Sequence, residues 1–241
     1  MQANMCVKCY KCFRPKKSCY CKYITEIPTK CKVIFLMHPK EAYKQKTGTG
    51  RLAGLSLSDS EIIIGIDFTH NKRLNDLLSD PQYFPIVLYP DENALTAKSE
   101  TLKVASENKR ILVIVVDATW LIAKKMMKLS KNLQALQKIS FLPSAGYQSK
   151  FTFKRQPARD YLSTIESCYY LLNEFKQNSL EDSGTSFEPL MDIFQKMVEF
   201  QLESQKERER QGQPSRYQNI EAQVKKNEKQ QNFQAALENL D

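Results

Sequence analysis

Unbroken apolar runs alternate with polar, helix-favouring stretches along most of this chain. Cys31–Met37 is apolar and closes at His38-Pro39; 61–66 follows as Glu-Ile-Ile-Ile-Gly-Ile; Phe84–Tyr89 is stopped by Pro90; Ile111–Val116 is the most apolar run of all. A shorter run falls near 138–142. Runs of this length, apolar at consecutive rather than alternate positions, predict strands covered on both faces. Helices are expected over 71–79, about 94–108, and 121–136. In the last of these Leu121, Ile122, Met126, Leu129, Leu133 and Leu136 recur near a 3.6-residue period. Ser163 opens a further helix carrying Tyr169, Tyr170, Leu171 and Leu172, and another covers 187–206. The alternation predicts an α/β fold with a mainly parallel sheet and helices on both faces. Ligands of such sheets sit at the carboxyl ends of the strands, which directs attention to His38, Asp67, Tyr89-Pro90 and Asp117.

The two ends differ from this middle. Residues 1–30 are rich in cysteine and lysine and hold too few apolar side chains for a core, whereas 203–241 is a Gln, Glu, Lys and Arg tail. Residues 31–202 remain as the α/β domain, and 241 residues suffice for one core with a small appendage. No stretch is apolar for the roughly 18 residues a membrane span requires. The start of the chain lacks the apolar core of a secretory signal, so a cytoplasmic location is expected. The net charge of +9 changes the picture more. Residues 1–60 hold 12 Lys and Arg against Glu26, Glu41 and Asp59, while the 24 basic and 24 acidic residues beyond them cancel. One end carries the whole excess, and a polyanion such as nucleic acid is its natural partner.

Five of the seven cysteines, Cys6, Cys9, Cys12, Cys19 and Cys21, fall within 16 residues. In a reducing compartment such a cluster points to metal rather than disulfides. Cys9-x2-Cys12 forms a knuckle that presents two thiolates to one ion. Cys19-x-Cys21 supplies a second pair, with Cys6 as a possible replacement ligand. Four sulfurs suit tetrahedral zinc, whose binding would give this coreless segment its folding energy; free thiols on an arm are the competing reading. Gly48-Thr-Gly50-Arg-Leu-Ala53 has the form of a dinucleotide fingerprint, but about ten polar residues separate it from the preceding strand, and no space is left for a full helix before Glu61. Asp117-Ala-Thr-Trp120 places an acid, a hydroxyl and the only tryptophan where the most buried strand meets a helix. Capping by Asp117 or Thr119 and packing by Trp120 would account for the same residues. Ser163-Thr-Ile-Glu166 has the form of a capping box.

Taken in order, Cys9-x2-Cys12-Phe-Arg-Pro15, Cys19-x-Cys21, His38-Pro-x-Glu41, Thr47-Gly48-x-Gly50-x-Leu52, Asp117-Ala-Thr-Trp120-x-x-Ala123-Lys124, Arg155-Gln-Pro157 and Leu162-Ser-Thr-Ile-Glu166 resemble the motifs of the DTW-domain family, over about residues 6–200. Lys46 stands where that family often has asparagine. The resemblance implies a tRNA-uridine aminocarboxypropyltransferase that moves the 3-amino-3-carboxypropyl group of S-adenosylmethionine (SAM) to uridine N3. It also implies a SPOUT-like, knotted sheet. SAM would then lie in the loops Leu88-Tyr89-Pro90, Asp117–Trp120 (through Ala118) and Leu162-Ser163-Thr164. Asp117 would accept the N3 proton or orient the uracil edge, Thr119 would bond the amino-acid moiety, and Trp120 would stack on a base. Arg51, Lys124 and Arg155 would bind RNA. RNA methylation on the same fold, and a zinc-dependent RNA-binding module without catalysis, are the alternatives.

Overall fold

The structure is a computed structural model that describes residues 8–44, 48–141, 146–147, 149 and 162–213. Its centre is one five-stranded sheet, all parallel, in the order β2-β1-β4-β3-β5. The strands are β1 (Lys32–Met37), β2 (Ser60–Ile64), β3 (Tyr83–Leu88), β4 (Arg110–Asp117) and β5 (Gln137–Ile139). The β4 run is flanked by β1 and β3, and Ile111, Leu112, Val113 and Ile114 are all buried. That is why it reads as continuously apolar rather than alternating.

Side chains nevertheless alternate between two covered faces. On one face Leu112 and Ile114 join Ile34, Leu36 and Val87. They pack with Leu74 and Leu77 of α3 (Lys72–Ser79), Met126 and Met127 of α5 (Trp120–Leu129) and Leu133 of α6 (Lys131–Gln134). The other face carries Phe35, Val113, Val115 and Asp117. Here α2 (Thr49–Ser56) brings Gly54 so close that a Cβ would sit 3.4 Å from the Phe35 ring, and α7 (Thr164–Gln177) reaches Asp117 through Thr164. The remaining helices are α1 (Pro39–Lys44), α4 (Glu100–Asn108) and α8 (Glu188–Arg210), the last burying Leu190, Met191, Ile193, Phe194 and Met197 at helical spacing.

Helices α1 and α2 form where the glycine-rich, polar sequence predicts a loop. Gly48, Gly50 and Gly54 are weak helix formers, and α2 depends on its close packing to outweigh propensity. The helix expected over 121–136 is instead broken at Ser130, whose buried Oγ accepts the Phe68 N–H at 3.0 Å. Asn132 adds bonds to the Phe68 carbonyl (2.9 Å) and to Asn75 (2.7 Å), tying this corner to the β2–α3 loop. The helix expected from about 94 begins only at Glu100.

The described residues up to 197 belong to one compact unit; 198–213 belong to a second and are helical through Arg210. The cysteine-rich segment belongs to the first unit, joined to α2 where Ile27 N–H donates to the Ser56 carbonyl (2.7 Å) and Ser58 N–H to that of Ile27 (2.9 Å). Buried Glu181 then accepts both the Lys30 and Cys31 N–H groups, at 2.7 and 2.8 Å, and fixes the start of β1. Among the described residues no helix is long and apolar enough to cross a membrane.

Candidate functional site

The chain leaves β1 toward β2 on one side and leaves β4 toward β5 on the other. Because β1 and β4 are neighbours, their carboxyl ends make the topological switch point at which loops diverge. Asp117 stands there. It pairs in register with Met37, and its carbonyl accepts the His38 N–H at 3.0 Å. The resemblance would have Asp117 meet the uracil directly, but the residue is only 4% exposed, so its carboxylate does not face a pocket in which a base could reach it. The cause is parity. Residue 117 falls on the same face as Val113 and Val115, so its side chain turns under α2 and α7. Oδ1 accepts the Thr164 hydroxyl at 2.6 Å. Cys168, one helical turn further along α7, is fully buried, and burial together with the Asp117 charge pushes its thiol well above the ordinary range. Cavities of about 570 and 350 Å³ lie elsewhere, the first beside α4 and the second where Cys31 and Arg110 begin their strands.

Gly50 completes the enclosure. A Cβ there would lie 2.3 Å from Asp117 Oδ2, so only glycine lets the first turn of α2 rest on the carboxylate. We expect Gly50→Ala to lower stability by about 1–3 kcal/mol, because the short, hydrogen-bonded Asp117 side chain has no room to yield. Thermal unfolding measures this; an unchanged melting temperature would show that α2 does not press on Asp117.

Half-buried Trp120 stacks on Tyr89, with ring centroids 5.5 Å apart and planes 19° from parallel, and the Lys124 ammonium lies 5.4 Å from its ring centre. The pair joins the ends of β3 and β4, with Leu88 and Ala118 half-buried and Pro90 exposed beside them. Thr119 occupies the N-cap position of α5 without a capping bond from its side chain; the hydroxyl is exposed. Ser163 and Glu166 form the expected capping box, with Ser163 N–H donating to the Glu166 carboxylate at 2.8 Å, and Leu162 and Ser163 are half-buried. His38 is buried, and its Nδ1 accepts the Lys40 N–H at 3.1 Å. Burial, Lys40 and Lys125 hold its pKa below the usual histidine value. Exposed Asp67 only closes a local turn with Thr69, at 2.9 Å. Arg155, and Lys46, lie outside the described residues.

Cys9, Cys12, Cys19 and Cys21 converge, all four sulfurs lying within 4.8 Å of one another. The Cys9–Cys21 and Cys12–Cys19 separations are both 3.7 Å. A tetrahedral ion with metal–sulfur bonds of about 2.3 Å needs sulfurs about 3.8 Å apart, so the donor set fits one metal ion. The N–H groups of Cys12 and Lys11 point at Cys9 and bring its thiol down to about 6. Arg51 does not project freely. Its guanidinium lies 4.5 Å from the centre of the Phe13 ring and donates to the Ala42 carbonyl at 3.1 Å, linking knuckle, α1 and α2. This contact and the Asp117–Thr164 bond escape sequence reading because each joins distant segments; the spacing of Gly50 and Arg51 was their one local sign.

The fold and site thus define a parallel α/β protein with Asp117, Thr164 and Gly50 gathered at the β1/β4 switch point and a four-cysteine knuckle in contact with α2. The chain belongs to the DTW domain family, whose model matches residues 6–202. It is similar to tRNA-uridine aminocarboxypropyltransferase 2 of Macaca fascicularis, 24% identical over 199 residues, and to the protein of the same name from Mus musculus, 23% identical over 199 residues. Each match covers 81% of this chain and 64% of the relative, so the chain spans under two thirds of those proteins' length. No solved structure matches it.

Proposed function

We propose that this chain transfers the 3-amino-3-carboxypropyl group of SAM to N3 of a uridine in tRNA. The observation that carries the reading is the Asp117–Thr164 hydrogen bond, which joins two of the family's motifs at the sheet's switch point. The names of the relatives and the basic N-terminal part of the chain support tRNA as the acceptor.

Bound SAM supplies a sulfonium flanked by three electrophilic carbons. The protein selects one by holding uracil N3 in line, opposite the breaking C–S bond, with the sulfur-bound carbon of the aminocarboxypropyl group. As the N–C bond forms, the C–S bond breaks toward sulfur and the N3 proton must leave. Asp117 is too enclosed to meet the uracil, but half-exposed Thr164 is accessible. Thr164 therefore takes the N3 proton as it passes its own to Asp117, the carboxylate acting through the hydroxyl. The flat, half-buried Tyr89–Trp120 pair offers a stacking surface for adenine or uracil, and exposed Thr119 and the Ser163 loop offer hydrogen bonds to the donor. Lys124 supplies positive charge beside them. The four cysteines hold zinc in a structural role, which their tetrahedral spacing supports. A SPOUT-like, knotted path belongs to the same proposal and rests on the family resemblance.

Incubation of tRNA with SAM labelled in the carboxyl carbon and, separately, in the methyl group tests the reaction. Carboxyl label should enter tRNA; methyl label alone entering it would make the protein a methyltransferase.

A further inference from the structure

The exposed aromatic rings gather where the chain is most basic. Among the described residues, Tyr10 is 82% exposed, Tyr43 72% and Phe13 52%. Tyr10 sits at the tip of the Cys9–Cys12 turn, which Phe13 closes by donating its N–H to the Cys9 carbonyl at 2.9 Å. Tyr43 lies in α1, directly after Ala42. Arg51 joins the two places, since its guanidinium covers the Phe13 ring and bonds the Ala42 carbonyl. Knuckle and α1 therefore lie side by side. Their cations are Lys8, Lys11 and Lys16 on the knuckle and Lys40 and Lys44 on α1, all exposed, and Glu41 is the one acid in residues 8–25 and 38–44. Arg51 directly follows Gly50, whose backbone rests on Asp117, so this region adjoins the candidate site.

We propose that this region holds the unpaired bases of an RNA loop, stacking them on Tyr10 and Tyr43 while the lysines grip the adjoining phosphates. The proposal rests on reading the chain as a tRNA-modifying enzyme. Phosphates alone would need lysines and no aromatic rings. A paired base hides both its faces in the helical stack, so exposed phenol rings are of use only to bases already unstacked. A protein partner would favour a patch depleted of charge at its centre, whereas here exposed Lys11 follows Tyr10 and exposed Lys44 follows Tyr43.

The full chain should be titrated with an unmodified tRNA transcript and with a fully paired RNA duplex of matched length. Tyr10→Ala with Tyr43→Ala should weaken tRNA binding about 10- to 100-fold and leave duplex binding unchanged, because stacking on each ring is lost. Tyr10→Phe with Tyr43→Phe keeps the rings and should stay within about threefold of the parent. Equal losses for tRNA and duplex, or a Phe pair as weak as the Ala pair, would overturn the proposal. Transfer assays separate it from the function above. A chain that binds tRNA through these rings yet moves no carboxyl label keeps this inference and loses the enzymatic one, while a Tyr-to-Ala pair with undiminished tRNA affinity and transfer does the reverse.

Discussion

Asp117→Asn is expected to lower aminocarboxypropyl transfer by about 10²- to 10⁴-fold, the usual contribution of a positioned acid–base group. Asparagine retains an oxygen that can accept the Thr164 hydroxyl bond of 2.6 Å, so the packing of α7 on the sheet survives. What is lost is the ability to receive a proton. Thr164→Val takes away the other half of the relay. It also strips Oδ1 of this donor, a loss of about 1–3 kcal/mol in stability, whereas Thr164→Ser preserves the hydroxyl and should keep most of the rate. Carboxyl-label transfer, SAM binding and thermal unfolding of the three variants decide the matter together. If Asp117→Asn transfers at the parent rate with SAM bound, the carboxylate plays no part in proton movement. If Thr164→Ser is as slow as Thr164→Val, the hydroxyl is not the accessible member of the pair.

The strands were legible because a parallel strand buried on both faces has no polar alternation to disguise it. Phe35 and Ile114 point to opposite faces, yet both are fully buried, so the runs stand out as unbroken apolar letters. From strands that alternate with helices, the carboxyl edge followed as the place for chemistry, and Asp117, Trp120 and Tyr89 are found there. Two kinds of information were hidden. One is helicity imposed by packing, since Thr49–Ser56 contains two glycines at which neighbouring side chains approach within 3.1 Å or less of a Cβ position. Local propensity opposes a helix there, and only the partners across the interface favour it. The other is side-chain direction at the end of β4. A shift of one residue would have placed the carboxylate on the α3/α5 face, and parity along an all-apolar strand gives no clue to which face is which.

Helix α2 gives these hidden features a common origin. Gly50 rests on Asp117, Gly54 approaches Phe35 and Ile62, and Arg51 reaches out to the knuckle and α1. The metal-ligand pattern and the acidic motif, about 100 residues apart in the chain, are therefore two ends of one mechanical connection. Anything that loosens the knuckle also frees Arg51 from its partner ring, on the same helical turn as the glycine that encloses the carboxylate.

If the knuckle holds the proposed zinc, a chelator should disorder the knuckle and leave the sheet folded. The backbone bonds within residues 8–23 are all local, among them Cys9 N–H to Arg14 carbonyl at 2.7 Å, Phe13 N–H to Cys9 carbonyl at 2.9 Å and Tyr23 N–H to Tyr20 carbonyl at 2.8 Å. Phe13 occupies the left-handed region, at φ 57°, which costs a non-glycine residue about 1–2 kcal/mol. Without an ion, only small contacts such as Arg14 over the Tyr20 ring at 4.0 Å and Arg51 over the Phe13 ring oppose that strain and the crowding of four thiols, whereas structural zinc contributes about 10 kcal/mol or more in small domains. Amide exchange should rise across 8–23 and stay slow in β4, whose Ile114 amide lies in the middle of the sheet. Affinity for tRNA should fall roughly tenfold as the knuckle's lysines lose their fixed positions, and added zinc should restore both. Elemental analysis should find one zinc per chain, and Cys12→Ser with Cys19→Ser should reproduce the chelated state. A chelated protein that keeps slow exchange at Cys12 and Phe13 would mean that the four sulfurs fold together without a metal.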